Sequence, residues 1–461
     1  MAPSANPTSR PLPRLGPRPL ALHLGTAAAT WLSSRAALPL LTSGSLPWKP
    51  QLAAEAEALR RAFAAVPPES LTAALEREIS SRLERYLDGI ERYRHHPYRR
   101  DLADPPALWQ EGSTALRDYG SLSADGRGPV VLFVPSLINR GYILDLAEGN
   151  SFLRWLTRDG FRPLLVDWGR PGPRERGFDL TDYVAGRLER MLDAAMAVAG
   201  GPVALAGYCM GGDLALALAT RRRRDVRALA LLATPWDFHA DRPELARAVA
   251  AGSGPLLALV ERTGELATDA LQALFYLLDP YLAPRKFLRF AEFEPGSRRE
   301  LAFVALEDWL NDGVPLAAKV ARECLFGWYG ENAPARNAWR IAGEPVDPGV
   351  LRLPTLVMVP AQDRIVPPPS AEALVRLIPG AERLQPSLGH IGMMASAGAE
   401  AGAWRPLAAW LRRVHGSPAR RSRRRAQGSH AAASLPSQVQ QTYNGAKKQR
   451  PRANPSEEDP R

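Results

Sequence analysis

The stretch that most constrains this chain is "PVALAGYCMGGDLALALAT", residues 202–220, where an apolar run meets a cysteine between glycines and then a helical pattern. Gly207, Cys209 and Gly211 form a G-x-C-x-G motif. The surrounding pattern reads as strand, sharp turn and helix, the context of a nucleophile elbow. In such a turn the nucleophile is strained and exposed, and neighbouring backbone comes too close for flanking side chains. Glycine removes that clash because it has no Cβ. An elbow usually carries serine, so the cysteine needs its own explanation.

The elbow belongs to a longer series. "PVVLFVP", "RPLLVDW", "PVALAGY", "VRALALLATP" and "LPTLVMVP" are short, near-continuous apolar runs. They suit strands buried on both faces of a parallel sheet. Helical patterns such as "SFLRWLTRDG" and "LTDYVAGRLERMLDAAMAVAG" lie between them, and this alternation predicts a mostly parallel, doubly wound α/β sheet. Functional groups should gather at the carboxyl ends of its strands. The expected organisation is a basic, apolar segment over 1–50, a helical region over 51–128 and a catalytic α/β domain over 129–415. Within the domain, residues 239–345 break the alternation and read as a helical lid insertion. A disordered basic tail is expected over 416–461.

Charge and cysteine content narrow the function classes. The formal charge is +11, but residues 417–461 hold ten Lys/Arg against three acids and so account for +7 of it. The remaining +4 makes a poor nucleic-acid footprint, and no specific nucleic-acid partner is expected. Two cysteines in 461 residues exclude a disulfide framework and suit a reducing cytosol. No His/Cys cluster has metal-ligand spacing, and neither metal nor cofactor is expected. Residues 1–54 lack Asp and Glu, with Arg10, Arg14 and Arg18 ahead of "LALHLGTAAATWL". That run is too short to span a membrane and is interrupted by His23. It reads as a helix that packs on the protein or lies on an apolar surface, rather than as an export signal.

An elbow cysteine needs a base and an orienting acid. After Cys209, Asp363 follows the predicted strand in "VMVPAQDRIVPP", and His390 sits in the glycine-flanked "SLGHIGMM". The order nucleophile, acid, histidine is that of an α/β-hydrolase sheet. His390 would take the Cys209 proton and Asp363 would hold the imidazole tautomer. The Met210 backbone N–H is the expected oxyanion donor, with a second from the loop Ser136–Ile138, assigned to Leu137. Asp167 also ends a strand but precedes the elbow and ranks below Asp363. Cys324, His239 and the His95-His96 pair read as structural.

Taken together, "VLFVPSLINRGYILDL", "LLVDWGRP", "LAGYCMGG", "ATPWDF", "LEDWLND", "MVPAQDRIVPP" and "GHIGMMAS" resemble polyhydroxyalkanoate synthases, most of all the short class III catalytic subunits. The resemblance runs from about 129 to 415. It implies an α/β-hydrolase fold, a Cys209–Asp363–His390 triad and a (R)-3-hydroxyacyl-coenzyme A substrate. It also implies a cytoplasmic enzyme at polyester granule surfaces, acting as a homodimer or with a small partner subunit. In such enzymes the Asp is also proposed to help activate the substrate hydroxyl. The chain departs from the compact class III pattern in its long N-terminal region and its basic tail.

The chemistry accounts for the cysteine. An acyl group passing from coenzyme A to Cys209 remains a thioester, so little driving force is lost. Attack by a chain-end hydroxyl then makes an oxoester and runs downhill. Two other readings stay open: a cysteine hydrolase (depolymerase or thioesterase) on the same fold, and a non-catalytic granule scaffold.

Overall fold

A computed structural model describes residues 13–123, 126–241 and 243–416, without the Leu245 side chain. Arg10 and the expected tail from 417 onward lie outside the described residues.

The described chain starts with a strap, residues 13–19, followed by helices α1 (Leu20–Ser43), α2 (Ala53–Ala64) and α3 (Pro68–Arg94). Pro67 and Pro68 set the entry of α3, where a missing N–H costs nothing, and Arg92 and Arg94 complement the dipole at its end.

An eight-stranded sheet follows: β1 (Ala107–Glu111), β2 (Thr114–Asp118), β3 (Val130–Val134), β4 (Arg162–Asp167), β5 (Val203–Tyr208), β6 (Val226–Leu232), β7 (Thr355–Met358) and β8 (Glu382–Leu384). Its spatial order is β1-β2-β4-β3-β5-β6-β7-β8. All neighbours from β4 to β8 are parallel, while β2 runs antiparallel to β1 and β4. All five apolar runs form strands. The expected helical region over 51–128 is corrected by the β1–β2 hairpin, which opens the sheet before residue 129. Edge strands β1 and β8 are largely exposed and present no apolar run to read.

Helices α4 (Phe152–Arg158), α5 (Glu189–Ala199) and α6 (Met210–Arg221) connect the first parallel strands. Successive β3 residues face opposite sides of the sheet: Leu132 and Val134 join one core, Val131 and Phe133 the other. From Met210 to Thr220 every residue of α6 is buried, so the elbow helix is a core element.

Between β6 and β7 the chain leaves the sheet. It forms α7 (Pro243–Gly252), α8 (Gly254–Thr263), α9 (Thr268–Tyr276), α10 (Leu282–Ala291), α11 (Arg298–Asn311), α12 (Ala318–Arg322) and a π-helical turn, Glu323–Gly330. A third apolar core, with Tyr86, Ile90, Tyr93, Phe287, Phe290 and Val304, joins α3 to α10 and α11. Arg92 of α3 donates to Glu300 and to the carbonyls of Ala291 and Phe293, at 3.2 and 2.7 Å. Helix α3 therefore buttresses the helical insertion between β6 and β7, the roof of the molecule, and Ala27 of α1 packs into the same core, the first of the two placements expected for the apolar run after Arg18. Helices α13 (Pro368–Leu377), α14 (Gly392–Ala395) and α15 (Arg405–Gly416) complete the fold. Among the described residues, no helix is long and apolar enough to cross a membrane.

Candidate active site

The chain enters the sheet's centre at β3, adds β4 on one side and returns to add β5 on the other. The carboxyl ends of β3 and β5 thus open a crevice at a topological switch point. The loop after β3 supplies residues 135–139, and the end of β5 supplies Cys209.

Cys209 has φ 55° and ψ −131°, a conformation that L side chains rarely adopt and that costs about 1–3 kcal/mol. The surroundings enforce it. Its N–H donates to Leu232 O at 2.9 Å and its carbonyl accepts from Gly212 N–H at 2.8 Å. A Cβ on Gly207 would lie 2.4 Å from the Gly212 Cα, and one on Gly211 would lie 2.0 Å from the Val134 carbonyl oxygen. Both glycines of the motif are required by close backbone approach.

Asp363 follows β7 and His390 follows β8. His390 Nδ1 meets Asp363 Oδ2 at 2.7 Å. The other carboxylate oxygen accepts the Ile365 and Val366 amides, each at 2.8 Å. Asp363 is thereby fixed and fully supplied with donors. The far side of the imidazole shares a hydrogen bond with Cys209, and the Tyr208 hydroxyl donates to the His390 carbonyl at 3.1 Å. The structure brings all three sequence-predicted side chains together. Burial alone would lower the His390 pKa. The Cys209 charge and the hydrogen bonds to Asp363 and Cys209 outweigh it and raise the value to about 10.

Met210 opens α6, so its N–H belongs to the first turn and has no helical acceptor. Leu137 is buried and lines a small void together with Trp168 and Tyr183. Pro135, Ser136, Ile138 and Asn139 of this loop line the space around Cys209, and the Ile138 N–H is taken by Ser136 Oγ at 3.1 Å. Asp167 lies elsewhere, paired with Arg117 at 3.2 Å. His239 bonds the Tyr329 carbonyl at 2.7 Å, and His96 lies 3.4 Å from Glu300.

Two cavities meet at Cys209. The first lies beneath the roof and is lined mainly by apolar groups, including Leu266, Leu271, Leu274, Leu325 and Trp328. Cys324 also lines it, and burial pushes its thiol well above the ordinary range. The second is more polar; His390 lines it together with Arg18, His23, Arg285, Lys286 and Asn311. Ile138, Cys209, Phe275, Leu278, Arg364 and Ile365 line both.

The sequence reading missed two features. The N-terminal strap reaches the second cavity through Arg18. Asp213, one turn beyond Cys209, is fully buried with neither carboxyl oxygen hydrogen-bonded. Burial, then the Cys209 charge, pushes its pKa well above the ordinary carboxylate value. Among the described residues, no group of three or more His, Cys, Asp and Glu could hold a metal ion.

A family model described as alpha/beta hydrolase fold matches residues 129–396. The chain is 29% identical over 308 residues to the poly(3-hydroxyalkanoate) polymerase subunit PhaC of Haloferax mediterranei, covering 66% of this chain and 63% of the relative. The Haloarcula marismortui subunit of the same name is also 29% identical, with 67% and 68% covered. The Synechocystis subunit is 27% identical, with 71% of this chain and 90% of the relative covered. The match thus spans about two thirds of the two archaeal relatives' own length.

Proposed function

The chain belongs to the α/β-hydrolase fold family, and from that premise we propose that it is a polyhydroxyalkanoate synthase-type acyltransferase. In this reading it polymerises (R)-3-hydroxyacyl groups from coenzyme A thioesters through a covalent Cys209 thioester. Its similarity to poly(3-hydroxyalkanoate) polymerase subunits supports the substrate class. The observation that carries the reading is the pair of cavities meeting at one nucleophile. A hydrolase needs one acyl site and water. A chain-extending transferase must hold an acyl group on Cys209 while a second, hydroxyl-bearing reactant approaches it.

His390 takes the Cys209 proton, and the thiolate attacks the thioester carbonyl. The oxyanion is held by the Met210 N–H and by the loop after β3, for which the Leu137 N–H remains our assignment. Coenzyme A leaves as a thiol after receiving the proton from His390. The new Cys209 thioester carries no charge, so two of the influences that raised the His390 pKa disappear while its burial remains. Acylation therefore turns His390 from an acid into a base. It then accepts the proton of an incoming chain-end hydroxyl, whose oxygen attacks the thioester carbon. The oxoester forms, Cys209 departs as thiolate, and the imidazolium is again paired with it. The apolar walls of the first cavity keep water from competing.

Residence in the cytoplasm at polyester granules, and action as a homodimer or with a small partner subunit, belong to this proposal. Purified protein would be given (R)-3-hydroxybutyryl-coenzyme A, with Cys209→Ala as control, while coenzyme A release and acyl product are followed together. Polymer with Cys209-dependent release is expected. Free hydroxy acid in place of polymer would make the protein a hydrolase.

A further inference from the structure

The N-terminal strap is built into the roof. The Arg14 guanidinium bonds both carboxylate oxygens of Asp308 and the carbonyls of Tyr93, His96 and Tyr98. Its backbone exchanges bonds with Arg94, at 3.1 and 2.9 Å. Four residues on, the Arg18 N–H donates to Asn311 Oδ1 at 2.9 Å and its Nε to Asp269 at 2.6 Å. His23 bonds the Arg18 carbonyl at 3.1 Å and packs edge-on against Tyr276, ring centres 5.6 Å apart. These contacts hold Arg18 on the wall of the polar cavity that contains His390 and Cys209.

The two cavities differ in charge. The polar cavity is lined by five cations: Arg18, Arg140, Arg285, Lys286 and Arg364. They face four carboxylates. Asp269 lies 2.6 Å from Arg18, Asp312 3.0 Å from Arg140, and Glu307 2.7 Å from Lys286. Asp279 is shared by Arg285 at 2.6 Å and Arg364 at 3.9 Å. The balance is positive, and Arg364, 84% exposed, is the least committed. The apolar cavity is lined by Asp237 and Asp241, and among the described residues Arg364 is the cation that lines it. The positive balance of the first setting favours a polyanion. A phosphorylated thioester carrier keeps its thioester a pantetheine arm away from its phosphates. Its charges therefore belong at a cavity rim and its carbonyl beside Cys209.

We propose that the N-terminal strap is part of the substrate site, and that Arg18, acting with Lys286 and Arg364, binds the phosphates of a coenzyme A-type carrier. The acyl portion then extends from Cys209 into the apolar cavity. The identity of the carrier rests on the acyltransferase reading; the placement of the phosphates rests on the strap and the rim.

Calorimetric titration of the full chain with free coenzyme A and with pantetheine tests this without turnover. Wild-type protein should bind coenzyme A more tightly than pantetheine. Arg18→Gln should weaken coenzyme A binding roughly tenfold, as expected for a lost charged hydrogen bond, and pantetheine binding much less. Arg364→Gln, at an exposed site that cannot compromise folding, should act in the same direction. Arg61→Gln, on α2 and 71% exposed, controls for loss of general positive charge. Wild-type protein that does not prefer coenzyme A to pantetheine, or Arg18 and Arg364 variants that bind coenzyme A normally, would overturn the assignment. So would equal losses for both ligands. If strap-dependent coenzyme A binding is found but no polymer forms, the acyltransferase reading fails while the phosphate site stands.

Discussion

On the sheet side of the cavities, the chemical groups are held by backbone. Cys209 is pinned by the Leu232 carbonyl, Asp363 by two amides, and His390 by Asp363. On the roof side, Phe275 and Leu278 are positioned by packing, and Arg18, Arg285 and Lys286 by ion pairs. Under the proposed function the floor fixes which bond is made, and the roof decides which reactants reach it and whether water joins them. A change in the floor should destroy activity or folding, whereas a change in the roof should redistribute products.

The largest expected effect lies in the floor. Asp363→Asn preserves shape but leaves His390 in the wrong tautomer, and acyl transfer should fall by roughly 10⁴-fold. Steady-state kinetics with circular dichroism would check this; a loss under tenfold would remove Asp363 from its assigned role. Gly211→Ala comes next, because the added Cβ meets the Val134 carbonyl oxygen at 2.0 Å, where neither backbone can yield. Denaturant titration should show a loss of about 3 kcal/mol or outright failure to fold.

The third prediction concerns charge coupling. The His390 pKa, raised to about 10, means that this group's contribution to stability is full below its ordinary value of 6.5 and lost as pH rises through about 10. Cys209→Ala removes the main raising influence, so the His390 midpoint should fall. Titration of the imidazole resonances in both proteins measures it, and an unchanged midpoint would break the proposed acid-to-base switch. The smallest effect lies in the roof. Phe275→Ala removes a wall shared by both cavities and should leave coenzyme A release within about threefold of wild type, the small change expected away from the reacting atoms. It should also raise the free hydroxy acid share of the product. Unaltered partitioning would deny the roof its role in excluding water.

The same division explains what the sequence disclosed. The five apolar runs and the G-x-C-x-G turn were legible because burial on both faces and steric exclusion at Gly207 and Gly211 leave little choice of residue. Asp363 and His390 were legible because strand ends and chain order locate them. The edge strands β1 and β8 lacked such a signature, being exposed on one or both faces. Leu137 was singled out by position in a loop, and only coordinates could reveal that Ile138 of the same loop lines both cavities. Arg18 could not be found from local pattern at all, because its partners Asp269 and Asn311 lie some 250 and 290 residues away in sequence. Asp213 sat in plain view as "CMGGD", but an acid in the first turn of a helix ordinarily reads as a cap-side charge, not as a buried group without hydrogen-bond partners.

The most direct test of the account is the fate of the acyl-enzyme in a single turnover. Protein mixed with one equivalent of (R)-3-hydroxybutyryl-coenzyme A would be quenched over time and analysed by intact mass and peptide mapping, with and without a hydroxyl-terminated oligomer as acceptor. A hydroxyacyl group should form on Cys209, persist in water and leave rapidly, as lengthened oligomer, when the acceptor is added. An adduct lost as free hydroxy acid at the same rate with or without acceptor, or no adduct on Cys209, would contradict it.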